Sequence, residues 1–290
     1  MSRVACTSVL LLALGACAGE AADGGGGGGG VGGGKADDLG ETGSVALTFD
    51  FTGGDDLGWS ATFRDLPGDI LAEYERRVAA GEDLGPVAPL TEDLVDIPAD
   101  STHWLLHAGL LPLPDGLAGS GFLLQGTNRS DDLDKHLVLA LDADDGIEPD
   151  ATYRVTFERV AFAADAPLGL FGVGGDPALD IDGVVSAIDP THTFTDDSGH
   201  VRHPKGVFAA GVTTLATTAV CIADGAPEGP LPPCPAGRIP FALTASPAPG
   251  SLTATASADG HLWLMVGGHS GFEGFSAIYM TEITVLIERI

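Results

Sequence analysis

From Val45 onward the chain reads as short runs in which apolar and polar residues alternate. Val45–Phe51 (Val-Ala-Leu-Thr-Phe-Asp-Phe) carries its large side chains at every second position. After the turn Gly53-Gly54-Asp55-Asp56, residues Trp59, Ala61 and Phe63 repeat the pattern. A period of two is the signature of a strand with one buried face. Trp104–Leu113, Phe122–Gly126 and Leu137–Leu141 follow, separated by Pro, Gly and Asp clusters. Tyr153–Ala163 is the clearest strand. Tyr153, Val155 and Phe157 share a face, and a bulge near Glu158–Val160 is needed to bring Val160 and Phe162 back to it. Further short strands are expected at Asp180–Ile188, Val207–Val220, Phe241–Ala245, Ser251–Ala256, His261–Val266 and Ile278–Ile287. One segment departs from the pattern. Ile70, Leu71, Tyr74, Arg77 and Val78 recur at helical spacing, with Asp69 placed to cap the start and Gly81 to close the end. The expectation is an all-β fold, an antiparallel β-sandwich of jelly-roll-like type, with one short inserted helix at about 69–80.

Before Val45 the chain has a different character. Arg3, the apolar run Val9–Leu14 and the small residues Gly15 and Ala16 compose a secretory signal peptide. That run is too short to span a bilayer, which takes about 20 residues. Leu14-Gly15-Ala16-Cys17 resembles the lipobox of bacterial lipoproteins, which implies cleavage before Cys17 and acylation of that residue. The resemblance makes the lipid bilayer a partner, and Ala18 after the cysteine implies the outer membrane of a Gram-negative bacterium. Several acyl chains anchor stably where one does not. Ala18–Gly43, which holds the runs Gly24–Gly30 and Gly32–Gly34, then forms a tether. Glycine runs lose too much backbone entropy to order without packing partners, and a coil of this length spans about 25–30 Å. The expected organisation is a signal peptide over 1–16, an anchored tether over 17–43 and a single β-sandwich domain over 44–290.

Charge and cysteine usage narrow the classes. Acidic residues outnumber basic ones by 41 to 13, a net charge of −28. Such a field repels nucleic acid and anionic lipid. It suits solubility through self-repulsion, and carboxylate clusters in it can hold calcium. Of the four cysteines, Cys6 lies in the signal and Cys17 at the anchor. Cys221 and Cys234 remain as an even pair in an oxidising compartment, so a disulfide closing the proline-rich Ile222–Pro233 loop is expected. Without a neighbouring histidine pair they make a poor zinc site, and they lack the Cys-x-x-Cys spacing of a redox pair.

Several motifs form a set. Phe49-Asp50-Phe51 with Gly58–Asp65, Gly126–Leu133, Pro149–Phe157, Gly172–Gly175 and Leu262–Gly274 together resemble a family of uncharacterised secreted bacterial β-sandwich proteins. The resemblance implies the sandwich fold and no activity. Residues 70–100, with the helix, stand as an insertion, and Asp196–Gly211 departs from the Lys-Gly-Asn-rich segment of that family.

Candidate chemistry concentrates at Asn128, Ser130, Asp131 and Asp132, a polar cluster following a strand. Its amide, hydroxyl and paired carboxylates suit sugar hydroxyls, and Asp131 and Asp132 suit calcium. The same residue types also serve ordinary turn chemistry, bonding their own backbone. Glu273, flanked by glycines between the last two strands, is a second ligand candidate, with capping of loop amides as the competing role. Asp142–Gly146 and Asp180–Gly183 lack the spacing of a calcium loop and read as solvated turns. His192, His200 and His203 read as an exposed polar loop. Zinc there needs a convergent third or fourth ligand that the spacing does not supply. Gly268-His269-Ser270-Gly271-Phe272 fails as a nucleophile elbow because its fifth position is Phe272.

No residue set specifies a reaction. The leading expectation is a non-catalytic binding domain for carbohydrate or another surface polymer, with no cofactor beyond calcium. A hydrolase using Asp131, Asp132 or Glu273 as acid and base is one alternative, and a purely structural envelope protein is another. The sequence leaves the oligomeric state open.

Overall fold

The chain divides into two compact units, Met1–Gly32 and Gly33–Ile290. The computed structural model describes residues 43–82, 84, 104–114, 116–128, 133–164, 178–219, 242–270 and 274–290, all within the second unit. Cys17, Ser130, Asp131, Asp132, Cys221, Cys234 and Glu273 lie outside the described residues, as do the signal peptide and tether. Among the described residues no helix is long and apolar enough to cross a membrane.

The described part is an antiparallel β-sandwich. Strand β1 (Ser44–Asp50) leads through a 3-10 turn to β2 (Ser60–Arg64) and the two-residue β3 (Leu66–Pro67). Helix α1 (Gly68–Ala79) comes next, then β4 (His107–Pro112), β5 (Ser120–Asn128) and β6 (Leu133–Leu141). The long β7 (Thr152–Ala164) precedes β8 (Ala178–Ser186), the short β9 (Phe194–Thr195) and β10 (His200–Arg202), and β11 (Val212–Ala219). Strands β12 (Ala242–Ala245), β13 (Gly250–Thr255), β14 (Leu262–Ser270) and β15 (Gly274–Arg289) complete it.

One sheet has seven strands in the order β12-β7-β15-β5-β4, with β1 on the free half of β15 and β13 beside β12 on β7. The other has five, β11-β8-β14-β6-β2, and β3-β10-β9 form a small third sheet. The expected bulge in β7 is present. Phe157 pairs with Val285 and Arg159 with Thr284, so Glu158 is the extra residue and both Val160 and Phe162 are buried.

The principal core lies between the two large sheets. Tyr153, Val155 and Phe157 of β7 meet Leu137, Leu264 and Ile181 of the facing sheet. Each such side chain contributes roughly 1.5–3 kcal/mol on full burial. Phe51 sits edge-on to Trp59 and Phe122, with ring centroids 6.5 and 6.0 Å away. Gly183 is glycine for a packing reason, since a Cβ there would strike the Phe157 ring at 2.7 Å.

The helix occupies nearly the expected span, with two corrections. Its N-cap position is Pro67, which makes no side-chain cap bond, and Asp69 lies in the first turn, accepting from the Ile70 amide at 3.0 Å. Its apolar face ends at Tyr74, which packs edge-on to Phe63 at 5.1 Å, whereas Val78 is exposed and Arg77 pairs with Glu82. Ile70 and Leu71 join Phe63, Trp104, Leu106 and Leu133 in a second cluster.

Two strands run further than the alternation predicts. Strand β6 starts at Leu133, four residues before the expected Leu137, and β14 continues through Gly267, Gly268 and His269 to Ser270. These extensions pair with each other, Leu133 opposite Ser270 and His136 opposite Gly267.

Candidate functional site

Alternation along the extended β6 sends Lys135, Leu137 and Leu139 into the sandwich and Asp134, His136 and Val138 to the outer face of the five-stranded sheet. Residues directly opposed in an antiparallel pair share a face. Register therefore sets two rows across that face. The first runs Arg64 (β2), Asp134 (β6), His269 (β14), Asp180 (β8) and Thr217 (β11). The second runs Thr62, His136, Gly267, Asp182 and Thr214 across the same five strands.

Residues 187–211 fold back over this face. Val207 packs on Val138, Val184 and Met265. His203 lies edge-on to His136 with ring centroids 5.8 Å apart, and Phe208 lies edge-on to His203 at 5.1 Å. The Arg64 guanidinium ties the segment down. It donates to the carbonyls of Phe63 (2.6 Å), Pro190 (3.1 Å) and Thr191 (2.8 Å). Burial lowers the Arg64 pKa, opposed by the charges of Glu75, Asp134 and Asp189.

Asp134 is the hub. Its Oδ1 lies 2.8 Å from Nδ1 of His269, and its Oδ2 lies 3.7 Å from Nε2 of His203. A carboxylate only accepts, so Nδ1 of His269 carries the proton. Burial works to raise the Asp134 carboxyl, but the His269 hydrogen bond and the neighbouring imidazoles outweigh it and hold the carboxyl below its ordinary range. Desolvation takes His136 down to about 4, and His203, with His136 beside it, to about 3. Both rings are therefore neutral at pH 7, which leaves the His269 hydrogen bond as the main force keeping Asp134 ionised. Asp182 is shifted upward by burial and by the nearby Asp180, against a hydrogen bond from Thr214 that works to lower it. The His269 side chain is 41% exposed, so the first row opens to solvent at this point, where Asp180 accepts from Thr217 Oγ1 at 2.6 Å.

On the opposite face of β6, Lys135 is fully buried between the sheets. Its Nζ donates to Ser276 Oγ and, at 3.4 Å, to the Ser276 carbonyl. Burial lowers its pKa to about 7 against the pull of Asp134.

Of the sequence candidates, Asn128 is the last residue of β5 rather than a loop residue, and it is buried. It pairs with Gly274, while Leu133 pairs with Ser270. The strand ends that flank 129–132 and 271–273 thus stand side by side, each pair in one of the two sheets. The Asp180–Gly183 stretch is a correction: it is not a solvated turn but part of β8, with Asp182 buried. Asp142–Gly146 is the expected turn, Asp142 accepting from the Asp144 amide at 2.8 Å and Asp145 from the Asp142 amide at 3.1 Å. The histidine triplet divides. His192 is exposed, His200 borders Asp65, and His203, expected in an exposed loop, is only 8% exposed. Sequence reading missed Arg64, Asp134 and His136, and placed Asp182 in a solvated turn and His269 only in a failed nucleophile elbow. The available signal was Leu133, which extends the Leu137-Leu139-Leu141 alternation backward and places Asp134 and His136 together on the other face.

No family model matches the chain, and no curated protein matches it. Among solved structures it is similar to the enzymatically active domain of tailspike protein 4 from bacteriophage CBA120, at 10% identity and a TM-score of 0.26 over 83% of this chain and 21% of that one. It therefore spans about a fifth of the tailspike chain. The K1 cleaved adhesin domain of Lys-gingipain from Porphyromonas gingivalis is similar at 10% identity and a TM-score of 0.29, covering 82% of this chain and 96% of that one. The Endo-D glycoside hydrolase domain from Streptococcus pneumoniae is similar at 14% identity and a TM-score of 0.23, covering 62% of this chain and 20% of that one.

Proposed function

We propose that this protein is a lipid-anchored, extracytoplasmic binding domain of the Gram-negative outer membrane. In this reading it takes a hydroxyl-rich surface polymer, carbohydrate being the class, without chemically altering it. Acylated Cys17 is the anchor and the glycine tether the spacer. The observation that supports the reading is the meeting of strand ends: Asn128 beside Gly274, and Leu133 beside Ser270. Both motifs with ligand-type side chains, Asn128–Asp132 and Ser270–Gly274, flank those ends. Next to them the open part of the first row offers His269, Asp180 and Thr217. An alternation of imidazole, carboxylate and hydroxyl matches the mixed donors and acceptors of a sugar ring.

The test is a glycan array together with pull-down on purified cell-wall and capsular polymers, using the mature protein. Retention on a polyhydroxylated polymer is expected, weakened by Asp180→Ala and by Glu273→Ala. A protein that gives the sandwich's β-type circular dichroism yet is retained on none of them contradicts the reading.

A further inference from the structure

Six buried side-chain polar atoms that make no hydrogen bond gather in one place. Among the described residues, Thr62 Oγ1, His136 Nδ1, Asp182 Oδ1, Arg64 Nε and both ring nitrogens of His203 lack a partner. Thr62, His136 and Asp182 belong to the second row, Arg64 to its neighbour, and His203 covers them from the 187–211 segment. His203 stands near the Pro190 carbonyl, but neither ring nitrogen reaches it in hydrogen-bond geometry. His136 is 3% exposed. Its ring leans over Gly267, where any Cβ would meet its Cδ2 at 2.8 Å. A buried polar group left unpaired costs about 1–3 kcal/mol, so a cluster of them calls for an occupant.

The donor set identifies its class. Two carboxylates, Asp134 and Asp182, and two imidazoles with available lone pairs face the same side of one sheet. The nearest fixed cation, Arg64, is directed at three backbone carbonyls. Such a set is electron-rich and suits a cation, and imidazole selects a transition metal over calcium or magnesium. Asp134 and His136 are two residues apart on a strand and so project side by side. Oδ2 of Asp134 and Nε2 of His203 are 3.7 Å apart. Two ligands of a tetrahedral zinc ion stand roughly 3.3–3.5 Å from each other. Among the described residues no three such side chains already converge on one point, so binding requires the His136 and His203 rings to rotate inward. The hydrogen bond from His269 already fixes the Asp134 carboxylate.

We propose that Asp134, His136 and His203 form a binding site for a divalent transition-metal ion beneath the 187–211 segment. The site does not rest on the polymer-binding reading: its three ligands lie under the covering segment rather than at the open strand ends, and His269 alone borders both.

The mature protein is stripped with EDTA and titrated with zinc, following bound metal by elemental analysis and melting temperature by circular dichroism. One zinc per chain and a raised melting temperature are expected, since a ligand of the native state alone must stabilise it. His136→Ala and His203→Ala each abolish stoichiometric binding, while His192→Ala, at an exposed position, retains it. The cobalt-loaded wild-type protein gives the intense visible bands of a four- or five-coordinate site, a readout that does not depend on any variant folding. Sub-stoichiometric zinc, or zinc bound equally by His136→Ala and His203→Ala, overturns the site. So does the pale spectrum of six-coordinate, water-ligated cobalt.

Discussion

Lys135 shows how a single residue can work against its surroundings. It lies in the principal core between the sheets, with Ser276 as its hydrogen-bond partner and burial holding its pKa at about 7 against an ordinary 10.5. Between those values the unfolded chain binds the proton and the folded protein does not, so stability climbs with pH across that window. The penalty is fully present below pH 7, where it approaches about 5 kcal/mol, and fades towards pH 10.5. Lys135→Met fills similar volume without a charge. It is expected to stabilise the protein by about 1–4 kcal/mol at pH 6, with a gain that shrinks at pH 9.5. Denaturant unfolding at both pH values checks this, and a variant less stable at both would show that the amine is a net stabiliser. Gly267 is constrained in the opposite sense. A Cβ there would overlap the Lys135 carbonyl oxygen and the His136 Cα, both backbone, whereas one at Gly268 would meet the movable tip of Ile278. Gly267→Ala is therefore expected to lower the melting temperature clearly more than Gly268→Ala, by upwards of about 1–3 kcal/mol in stability. Equal effects in thermal melts would mean that the two strands can part to admit a methyl group.

At the scale of elements, one guanidinium ties the 190–191 end of the 187–211 segment to β2. Arg64 reaches Pro190 and Thr191 with the same Nη2 and Phe63 with Nη1, a fork that a lysine ammonium cannot reproduce. Arg64→Lys is expected to speed amide exchange across 187–211 by an amount equivalent to about 1–3 kcal/mol, leaving β7 and β15 unchanged. Unaltered exchange in that segment would assign its anchoring to the β3–β10 pairing and the packing of Val207 and His203 instead. The same elements show what the sequence made legible. Where alternation is clean, as in β1, the first half of β7 and the second half of β15, strands and even the Glu158 bulge follow from the pattern, because there one face meets a core and the other meets water. The pattern fails at Leu133–His136 and Gly267–His269. There the outer face is itself covered, so polar residues stand at buried positions and glycines at close approaches, and a rule built on one wet face reads a loop. The site lies where the rule breaks. His203 was misread for the same reason: nothing local to it indicates that β6 supplies Asp134 and His136 beneath it. Strands β3, β9 and β10 are too short to carry any period.

For the whole molecule, the charge and the proposed anchor constrain each other. At −28 the chain is repelled by an anionic leaflet. Screening limits that repulsion to about 8 Å at physiological ionic strength. The expected Gly-rich tether, with a coil span of about 25–30 Å, would exceed this distance, so acylation at Cys17 would hold the domain near the membrane without forcing it into the repulsive layer. Under the proposed anchoring the acyl chains would supply the attraction to the surface, since the net charge opposes it. Removing the anchor should accordingly release the protein completely rather than weaken its attachment by degrees. Cys17→Ser, expressed in a Gram-negative host, is expected to move from the detergent phase to the aqueous phase on phase separation and to lose the lipid mass of the mature N-terminus. Its far-UV circular dichroism should match wild type, since Cys17 is remote in sequence from the first strand at Ser44. A wild-type protein that already partitions into water, or a variant that stays with the membrane, would place the attachment somewhere other than Cys17.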